Sequence, residues 1–230
     1  MVDKMEHLDL RNELIETVLK MNALGINQGS SGNASIRIDN GYLITPSGMA
    51  YEEIQPEDIV YKELDGNHES PNGLRKPSSE WRFHEDIFKA RPEVNAIVHT
   101  HGQAVMTIAC MHRDVPPFHY MIGLMGGNSI RCAPYETFAT QELSNVALEA
   151  LKDRKACLLA NHGQIALGNS LKQALSMALE VETLCDVYFR LLCVDNVKLL
   201  SDRQMDEALA KFNKGYGVGK SFNTSKEAKS

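Results

Sequence analysis

The most informative stretch for predicting the fold and the site is Val94-Asn95-Ala96-Ile97-Val98-His99-Thr100-His101. It has the apolar composition of a buried strand, and it ends in two histidines. Side chains two residues apart on a strand point to the same face, so the imidazoles of His99 and His101 are expected to project together. Histidine is the commonest metal ligand in proteins, and two such rings are close enough to share one ion. Two polar residues that merely end a strand are the alternative interpretation.

A second apolar stretch also leads to a histidine. Residues 156–160 read as a buried strand, His162 follows it, and residues 164–167 are predicted to continue the strand. A titratable side chain at the end of a buried strand needs a partner or a role. If the two strands are neighbours in one sheet, His99, His101 and His162 converge, and three nitrogen ligands with one open position are typical of catalytic zinc.

Helices and strands are interleaved along the chain. Helical periodicity covers about 6–24, 78–90, 103–112, 140–152, 170–193 and 202–213, and strand patterns cover about 34–38, 42–45 and 59–61 in addition to those above. Residues 115–135 are expected to be irregular. This alternation predicts one layered α/β domain over residues 1–220. The polar tail at 221–230 is expected to be disordered.

Composition narrows the class of protein. The 230 residues carry a formal net charge of −6, with 43% hydrophobic and 23% charged residues. That balance gives no electrostatic reason to expect a nucleic acid or an anionic membrane as partner, and no apolar stretch is long enough to span a bilayer. The five cysteines form no close-spaced pair, and no secretory signal is visible. We therefore expect reduced thiols in a cytoplasmic protein.

A helix start at Ser78 or Ser79 is the second candidate site. Serines at this position are expected caps, but free amides at a helix start also bind anions. Glu80 stands in the first turn, where the helix dipole favours an acid in any protein. His84 follows one turn later, and we interpret it as a packed or capping histidine, with a metal ligand as the reserve interpretation.

Two glycine-containing turns complete the pattern. These are Ser31-Gly32-Asn33 and Thr45-Pro46-Ser47-Gly48. Glycine lets a backbone approach a bound anion, and small hydroxyls supply donors. Each turn alone is equally typical of ordinary hairpin chemistry.

Taken together, these segments resemble the class II aldolase/adducin family. The resemblance continues through His119-Tyr120-Met121-Ile122, Gly126-Gly127-Asn128-Ser129-Ile130, Cys132-Ala133-Pro134-Tyr135 and Thr137-Phe138, and it covers about residues 8–217. It implies a three-layer α/β/α sandwich with a central, mainly antiparallel sheet. It also implies a homotetramer whose active sites lie at subunit interfaces.

Roles for individual residues come from the same resemblance. It implies one Zn2+ per subunit, held by His99, His101 and His162, with Glu80 as the acid/base residue. Tyr120 matches a tyrosine that a neighbouring subunit supplies. The positions that match the phosphate-binding pocket are Gly32, Asn33, Ser47, Gly48, Ser78 and Ser79, and those at the aldehyde end of the substrate are Phe138 and Tyr216.

The implied activity is that of an aldehyde-lyase. Zinc would act as a Lewis acid in the reversible retro-aldol cleavage of L-fuculose 1-phosphate to dihydroxyacetone phosphate and L-lactaldehyde. Alternatives are cleavage of a 5-deoxy- or 5-methylthio-pentulose 1-phosphate, epimerisation of L-ribulose 5-phosphate at C4, and a non-catalytic module like the adducin head. The neighbourhood of Arg131 departs from the pattern, so this residue is expected at a pocket rim or an interface.

Overall fold

A central sheet organises the molecule. The computed structural model describes residues 6–194 and 197–214, and within these ranges the sheet has eight strands in the order β4-β3-β2-β1-β5-β8-β7-β6. Every neighbouring pair is antiparallel except β6 and β7. The strands are β1 (Asn33–Ile38), β2 (Gly41–Ile44), β3 (Val60–Glu63), β4 (His68–Glu69), β5 (Ala96–Thr100), β6 (Arg131–Ala133), β7 (Ala156–Leu159) and β8 (Gly163–Gly168).

Helices cover both faces of the sheet. They are α1 (Leu8–Ala23), α2 (Trp81–Ala90), α3 (Gln103–Cys110), α4 (Gln141–Ala150), α5 (Leu171–Cys193) and α6 (Asp202–Asn213). Three of them begin at a hydroxyl residue whose side chain accepts a backbone N–H in the first turn: Thr140 for α4, Ser170 for α5 and Ser201 for α6. These bonds satisfy amides that the helix itself leaves unpaired, and they explain why the predicted helix starts agree with the structure.

The alternation of side chains along the strands creates two cores. Val98 on β5 packs in the core that α1, α3 and α5 cover, whereas its neighbour Ile97 packs in the core beneath α2 and α4. Because β5, β7 and β8 are buried on both faces, these strands are rich in apolar residues. The predicted three-layer α/β/α sandwich with a mainly antiparallel sheet is confirmed.

The prediction of one continuous strand through residues 156–167 was wrong. β7 and β8 are separate antiparallel strands of a hairpin. The chain reverses at Asn161, whose φ of 54° lies in the left-handed region, a conformation that asparagine tolerates better than most residues. His162 therefore belongs to the tight turn between the two strands.

Two further differences concern local structure. Residues 115–135 were expected to be irregular, but they contain a 3₁₀ helix at Tyr120–Met125 as well as β6. Helix α2 begins at Trp81, because residues 78–81 first form a turn in which the Trp81 amide donates to the Ser78 carbonyl. The predicted disordered tail at 221–230 lies outside the described residues. Among the residues that are described, no helix is long and apolar enough to cross a membrane.

Strand direction brings the candidate residues to one end of the sheet. β1 and β8 flank β5 and run antiparallel to it. As a result, Asn33 at the start of β1 stands opposite His99 near the end of β5, and Gln164 on β8 stands opposite Thr100. The turn that carries His162 leads directly into β8, so it arrives at the same end.

Candidate metal centre and substrate site

The structure brings the three predicted histidines together. His99 is on β5, His101 directly follows that strand, and His162 precedes β8. One potential ligand atom from each residue lies within 4.8 Å of the other two. The rings of His99 and His101 have centroids 4.5 Å apart, as expected for residues on one face of a strand. β5 and β7 are not neighbouring strands. His162 still reaches His99 and His101, because it directly precedes β8, and β8 pairs with β5.

A backbone contact sets the orientation of the His99 ring. Its Nδ1 lies 2.7 Å from the carbonyl oxygen of Gln164. A carbonyl only accepts, so Nδ1 carries the proton and Nε2 of the neutral ring presents a lone pair. That Nε2 is buried and makes no hydrogen bond. It therefore has the chemical form of a metal ligand.

Glu80 faces two of these rings. Its Oε2 lies 3.1 Å from Nε2 of His99, and its Oε1 lies 3.2 Å from Nε2 of His162. Electron pairs on a carboxylate and on a neutral imidazole repel each other unless a proton or a cation lies between them. Two ligands each about 2.1 Å from one zinc ion lie roughly 3.0–3.5 Å apart, so the spacing of these atoms fits a bound metal ion.

Burial sets the protonation of the site. It lowers the pKa of His101 to about 3 and that of His162 to about 4, since an imidazolium loses hydration there. Burial also acts to raise the pKa of Glu80, but His99, followed by His162 and His101, outweighs it and lowers that pKa to about 2. At neutral pH the site thus combines the neutral imidazoles of His101 and His162 with the ionised carboxylate of Glu80, which is the combination that binds a divalent cation.

A buried chain of hydrogen bonds fixes the Glu80 carboxylate. Asn33 Nδ2 donates to Glu80 Oε2 over 3.1 Å, and Asn33 Oδ1 lies 2.5 Å from His84 Nε2. The other ring nitrogen of His84 lies 2.7 Å from Ser35 Oγ. Both nitrogens of His84 are therefore engaged, so the structure supports the packed histidine and leaves no free nitrogen for the reserve interpretation as a ligand. The side-chain amide of Asn33, a residue predicted for the phosphate pocket, donates to the Glu80 carboxylate in this structure.

Four of the predicted phosphate positions, Ser47, Gly48, Ser78 and Ser79, lie on two adjoining loops. The Ser47 amide donates to the Lys76 carbonyl, and the Ser78 amide donates to the Thr45 carbonyl, which ties residues 45–48 to residues 76–79. Ser47 and Ser79 are exposed and line a cleft of about 400 Å³, and Gly48 has a φ of 72°. Ser78 is buried, and its hydroxyl accepts the Glu80 amide.

Gly32 has no room for a side chain. A Cβ atom there would lie 2.5 Å from the His99 carbonyl oxygen and 2.8 Å from Asn27 Oδ1. The carbonyl of Gly32 also accepts the Tyr51 hydroxyl over 2.6 Å. The glycine therefore allows the turn before β1 to approach the end of β5.

Among the described residues, neither Tyr120 nor Phe138 forms a hydrogen bond or ring contact with His99, His101 or His162. In the described part of the chain, the aromatic contacts of Tyr120 are with His119 and Phe212, and its side chain is exposed. Phe138 is 65% exposed. Tyr216 lies outside the described residues.

Several polar contacts of the site escaped sequence analysis. Asn27 Oδ1 accepts the amide of His101, Ser31 Oγ contacts the His101 ring, and Lys76 lines the cleft beside Ser47. Such contacts join distant parts of the chain, and no local spacing predicts them. Arg131, expected at a pocket rim or an interface, does line a surface cleft, and it also donates to the carbonyl of Lys152 just after α4.

The fold and the site together are those of a metal-dependent α/β enzyme. The family model described as the class II aldolase and adducin N-terminal domain matches residues 12–189, so the chain belongs to the class II aldolase/adducin family. The prediction that the chain is an aldolase, and hence an aldehyde-lyase, is confirmed by this match and by its relatives. Class II aldolases depend on a metal ion, and the cluster of His99, His101 and His162 could bind one.

Similar proteins bear names of sugar-phosphate aldolases. A 5-methylthioribulose-1-phosphate/5-deoxyribulose-1-phosphate aldolase from Rhodospirillum rubrum is 48% identical over 90% of this chain and 92% of its own. An L-fuculose phosphate aldolase from Escherichia coli K12 is 46% identical over 93% of this chain and 98% of its own. A solved structure of an L-fuculose 1-phosphate aldolase is 34% identical and superimposes with a TM-score of 0.86, covering 92% of this chain and 99% of that one.

Proposed function

We propose that this protein is a zinc-dependent aldolase that reversibly cleaves L-fuculose 1-phosphate to dihydroxyacetone phosphate and L-lactaldehyde. The observation that carries the proposal is the buried Glu80 carboxylate facing the Nε2 atoms of His99 and His162. When bound, the metal supplies a Lewis acid that stabilises negative charge on the substrate oxygens. Zinc is the metal that best suits three neutral imidazoles with one open position.

Glu80 supplies the proton transfer. In the direction of condensation, its ionised carboxylate removes a proton from C3 of dihydroxyacetone phosphate, and that carbon then attacks the aldehyde. Cleavage runs the same steps in reverse, with Glu80 returning the proton to C3. The Asn33 amide holds the carboxylate in place from one side, so the oxygen that moves the proton has a fixed position.

The phosphate group is proposed to bind between the loops at 45–48 and 76–79. Ser47, Ser78 and Ser79 would supply hydroxyl donors, and Gly48 and Ser79 would supply backbone amides. Gly32 and Asn33 border the same end of the sheet. The cleft lined by Ser47 and Ser79 also carries Lys76. The other lysine in this cleft, Lys62, has a carboxylate partner, with Nζ 2.6 Å from Glu85 Oε2. Lys76 has no ion pair with a described residue, so its charge is free to meet a phosphate.

The aldehyde end is proposed to form in a homotetramer. Tyr120 lies exposed on the surface of the subunit, which supports a role in the active site of a neighbouring copy, where its hydroxyl would donate a proton to the aldehyde oxygen. Phe138, also exposed, and Tyr216 would contact the methyl end of the aldehyde. The free thiols of Cys157 and Cys185 support a reducing compartment and hence the cytoplasm.

A second substrate is favoured by one specific observation. The relative from Rhodospirillum rubrum is named for 5-methylthioribulose 1-phosphate and 5-deoxyribulose 1-phosphate. The same retro-aldol step on either compound gives dihydroxyacetone phosphate, with a shorter or sulfur-containing aldehyde as the other product. The two candidates therefore share the metal, Glu80 and the phosphate end, and they differ only at the aldehyde end.

Replacing one histidine tests the proposed function. We expect His99→Ala to lose bound zinc and to abolish release of dihydroxyacetone phosphate, because the remaining two imidazoles hold the ion weakly. His7→Ala, which changes a histidine just before α1 whose ion-pair partner is Asp39, is the matched control and should keep both properties. Normal turnover by a metal-free His99→Ala protein would refute the assignment of the metal centre.

A further inference from the structure

The ring of His101 has a side-chain partner on the turn before β1. Its Nδ1 lies 3.0 Å from the hydroxyl oxygen of Ser31. The same hydroxyl lies 3.0 Å from the carbonyl oxygen of Gln28 and donates its proton there. A hydroxyl has a single proton, so towards His101 the oxygen of Ser31 acts as an acceptor.

This arrangement defines the tautomer of His101. Nδ1 must carry the proton that Ser31 accepts, and Nε2 is left as the nitrogen with a free lone pair. His99 reaches the same state through the carbonyl of Gln164. In the described part of the chain, Ser31 is the one side chain that hydrogen bonds to a ring nitrogen of His101.

We propose that Ser31 is a positioning residue for the metal centre, whose hydroxyl fixes the Nδ1–H tautomer and the ring orientation of His101 and so strengthens metal binding through Nε2. The proposal rests on the proposed metal-binding function of the three histidines. Ser31 touches neither metal nor substrate in this role. It acts through His101, as partners of ligating histidines commonly do.

The turn that carries Ser31 is held independently of this contact. Gly32 packs against the backbone of His99, and its carbonyl accepts the Tyr51 hydroxyl. Asn27 accepts the backbone amide of His101 over 3.2 Å and donates to the Gly29 carbonyl. Since these contacts do not involve the hydroxyl of Ser31, its removal should leave the turn in place while freeing the ring of His101.

The affinity of the metal-free protein for zinc tests the proposal. Zinc is removed from the full chain and titrated back in competition with a chromophoric chelator. We expect Ser31→Ala to weaken zinc binding about tenfold, at the lower end of the effect of such partners. Ser31→Thr keeps the hydroxyl and should restore the affinity. Ser30→Ala is the matched control, because the neighbouring serine makes no side-chain hydrogen bond to a described residue.

A spectroscopic measurement separates positioning from a general loss of structure. With ¹⁵N-labelled histidine, long-range ¹H–¹⁵N correlations of the zinc-free protein report which ring nitrogen is protonated. The parent should show His101 protonated at Nδ1, and Ser31→Ala should show a mixture of tautomers with an unchanged melting temperature.

The outcomes that overturn the proposal are distinct from those that overturn the function. Equal zinc affinity in the parent and Ser31→Ala, or protonation of His101 at Nε2 in the parent, refutes the role of Ser31 while the metal centre stands. Failure of the parent itself to bind zinc refutes the proposed function, and with it the basis of the inference.

Discussion

Oε2 of Glu80 lies 3.1 Å from Nε2 of His99, and the two residues are only 5% and 0% exposed. The other nitrogen of that ring donates to the Gln164 carbonyl, so two electron-rich atoms face each other away from water. A buried carboxylate in that position is costly unless a cation compensates it. The relationship between Glu80 and His99 therefore supports a bound metal more directly than the histidines alone.

Metal binding should stabilise the protein. A ligand that binds only the folded state contributes about 4 kcal/mol at a free concentration near 1,000 times its Kd, and for a chain of this size each kcal/mol raises the melting temperature by about 2–4 °C. We expect a rise of roughly 8–16 °C when zinc is added to the chelated protein, measured by differential scanning fluorimetry. An equal rise in His99→Ala would show that zinc acts elsewhere.

Glu80→Gln should separate metal binding from proton transfer. The amide is nearly the same size as the carboxylate and leaves the three imidazoles in place, so zinc content should stay at the parent level. Loss of the base should lower kcat by about 10²–10⁴-fold. The measurement is exchange of the C3 proton of dihydroxyacetone phosphate with solvent, followed by NMR. Exchange at the parent rate would place the base on another residue.

Lys76→Ala should weaken substrate binding through the phosphate. A hydrogen bond to a charged group contributes about 1.5–3 kcal/mol, so KM should rise roughly 10- to 100-fold while kcat changes little. Lys76→Arg should keep most of the affinity. Lys172→Ala removes a lysine in a different groove, beside α1 and α5, and serves as the control. An unchanged KM in Lys76→Ala would exclude a contact between this lysine and the phosphate.

His84 makes stability depend on pH. Burial of its ring is the main cause that lowers the pKa of His84 from 6.5 to about 3. Above pH 6.5 this residue is neutral in both the folded and unfolded states. Between pH 6.5 and 3 the unfolded state takes up a proton that the folded state does not, so stability is lost on acidification.

The size of this loss of stability follows from the difference between the pKa values of His84 in the folded and unfolded states. We expect His84 to account for about 2 kcal/mol of the stability lost between pH 7 and pH 5. Urea unfolding of the chelated parent and of His84→Gln at both pH values measures it, and the variant should lose less stability by that amount. Parallel losses in the two proteins would mean that His84 is protonated in the folded state.

Much of the fold could be predicted because local patterns determine it. The hydroxyls of Thr140, Ser170 and Ser201 begin helices where capping predicts them. The spacing of His99 and His101 was enough to place both rings on one face. The reversal at Asn161 was missed because the apolar pattern on either side reads the same for one long strand as for two short ones.

The supporting contacts of the site could not be predicted because they join distant segments. Ser31 meets His101 only after β1 pairs with β5, and Asn33 meets Glu80 across 47 positions of the chain. The sequence predicted a packed His84 but not its partner Ser35, and the hydrogen bond between them completes the chain that holds Glu80. Sequence spacing predicted the candidate metal ligands, and only the tertiary structure shows which residues orient them.

The most direct test of the account is the release of dihydroxyacetone phosphate from phosphorylated ketoses, with and without chelator. L-Fuculose 1-phosphate, 5-deoxyribulose 1-phosphate, 5-methylthioribulose 1-phosphate and L-ribulose 5-phosphate are compared in a coupled assay. We expect rapid release from L-fuculose 1-phosphate, its loss on chelation and its recovery on addition of zinc. Epimerisation of L-ribulose 5-phosphate without release from any 1-phosphate, or release that chelation leaves unchanged, would contradict the account.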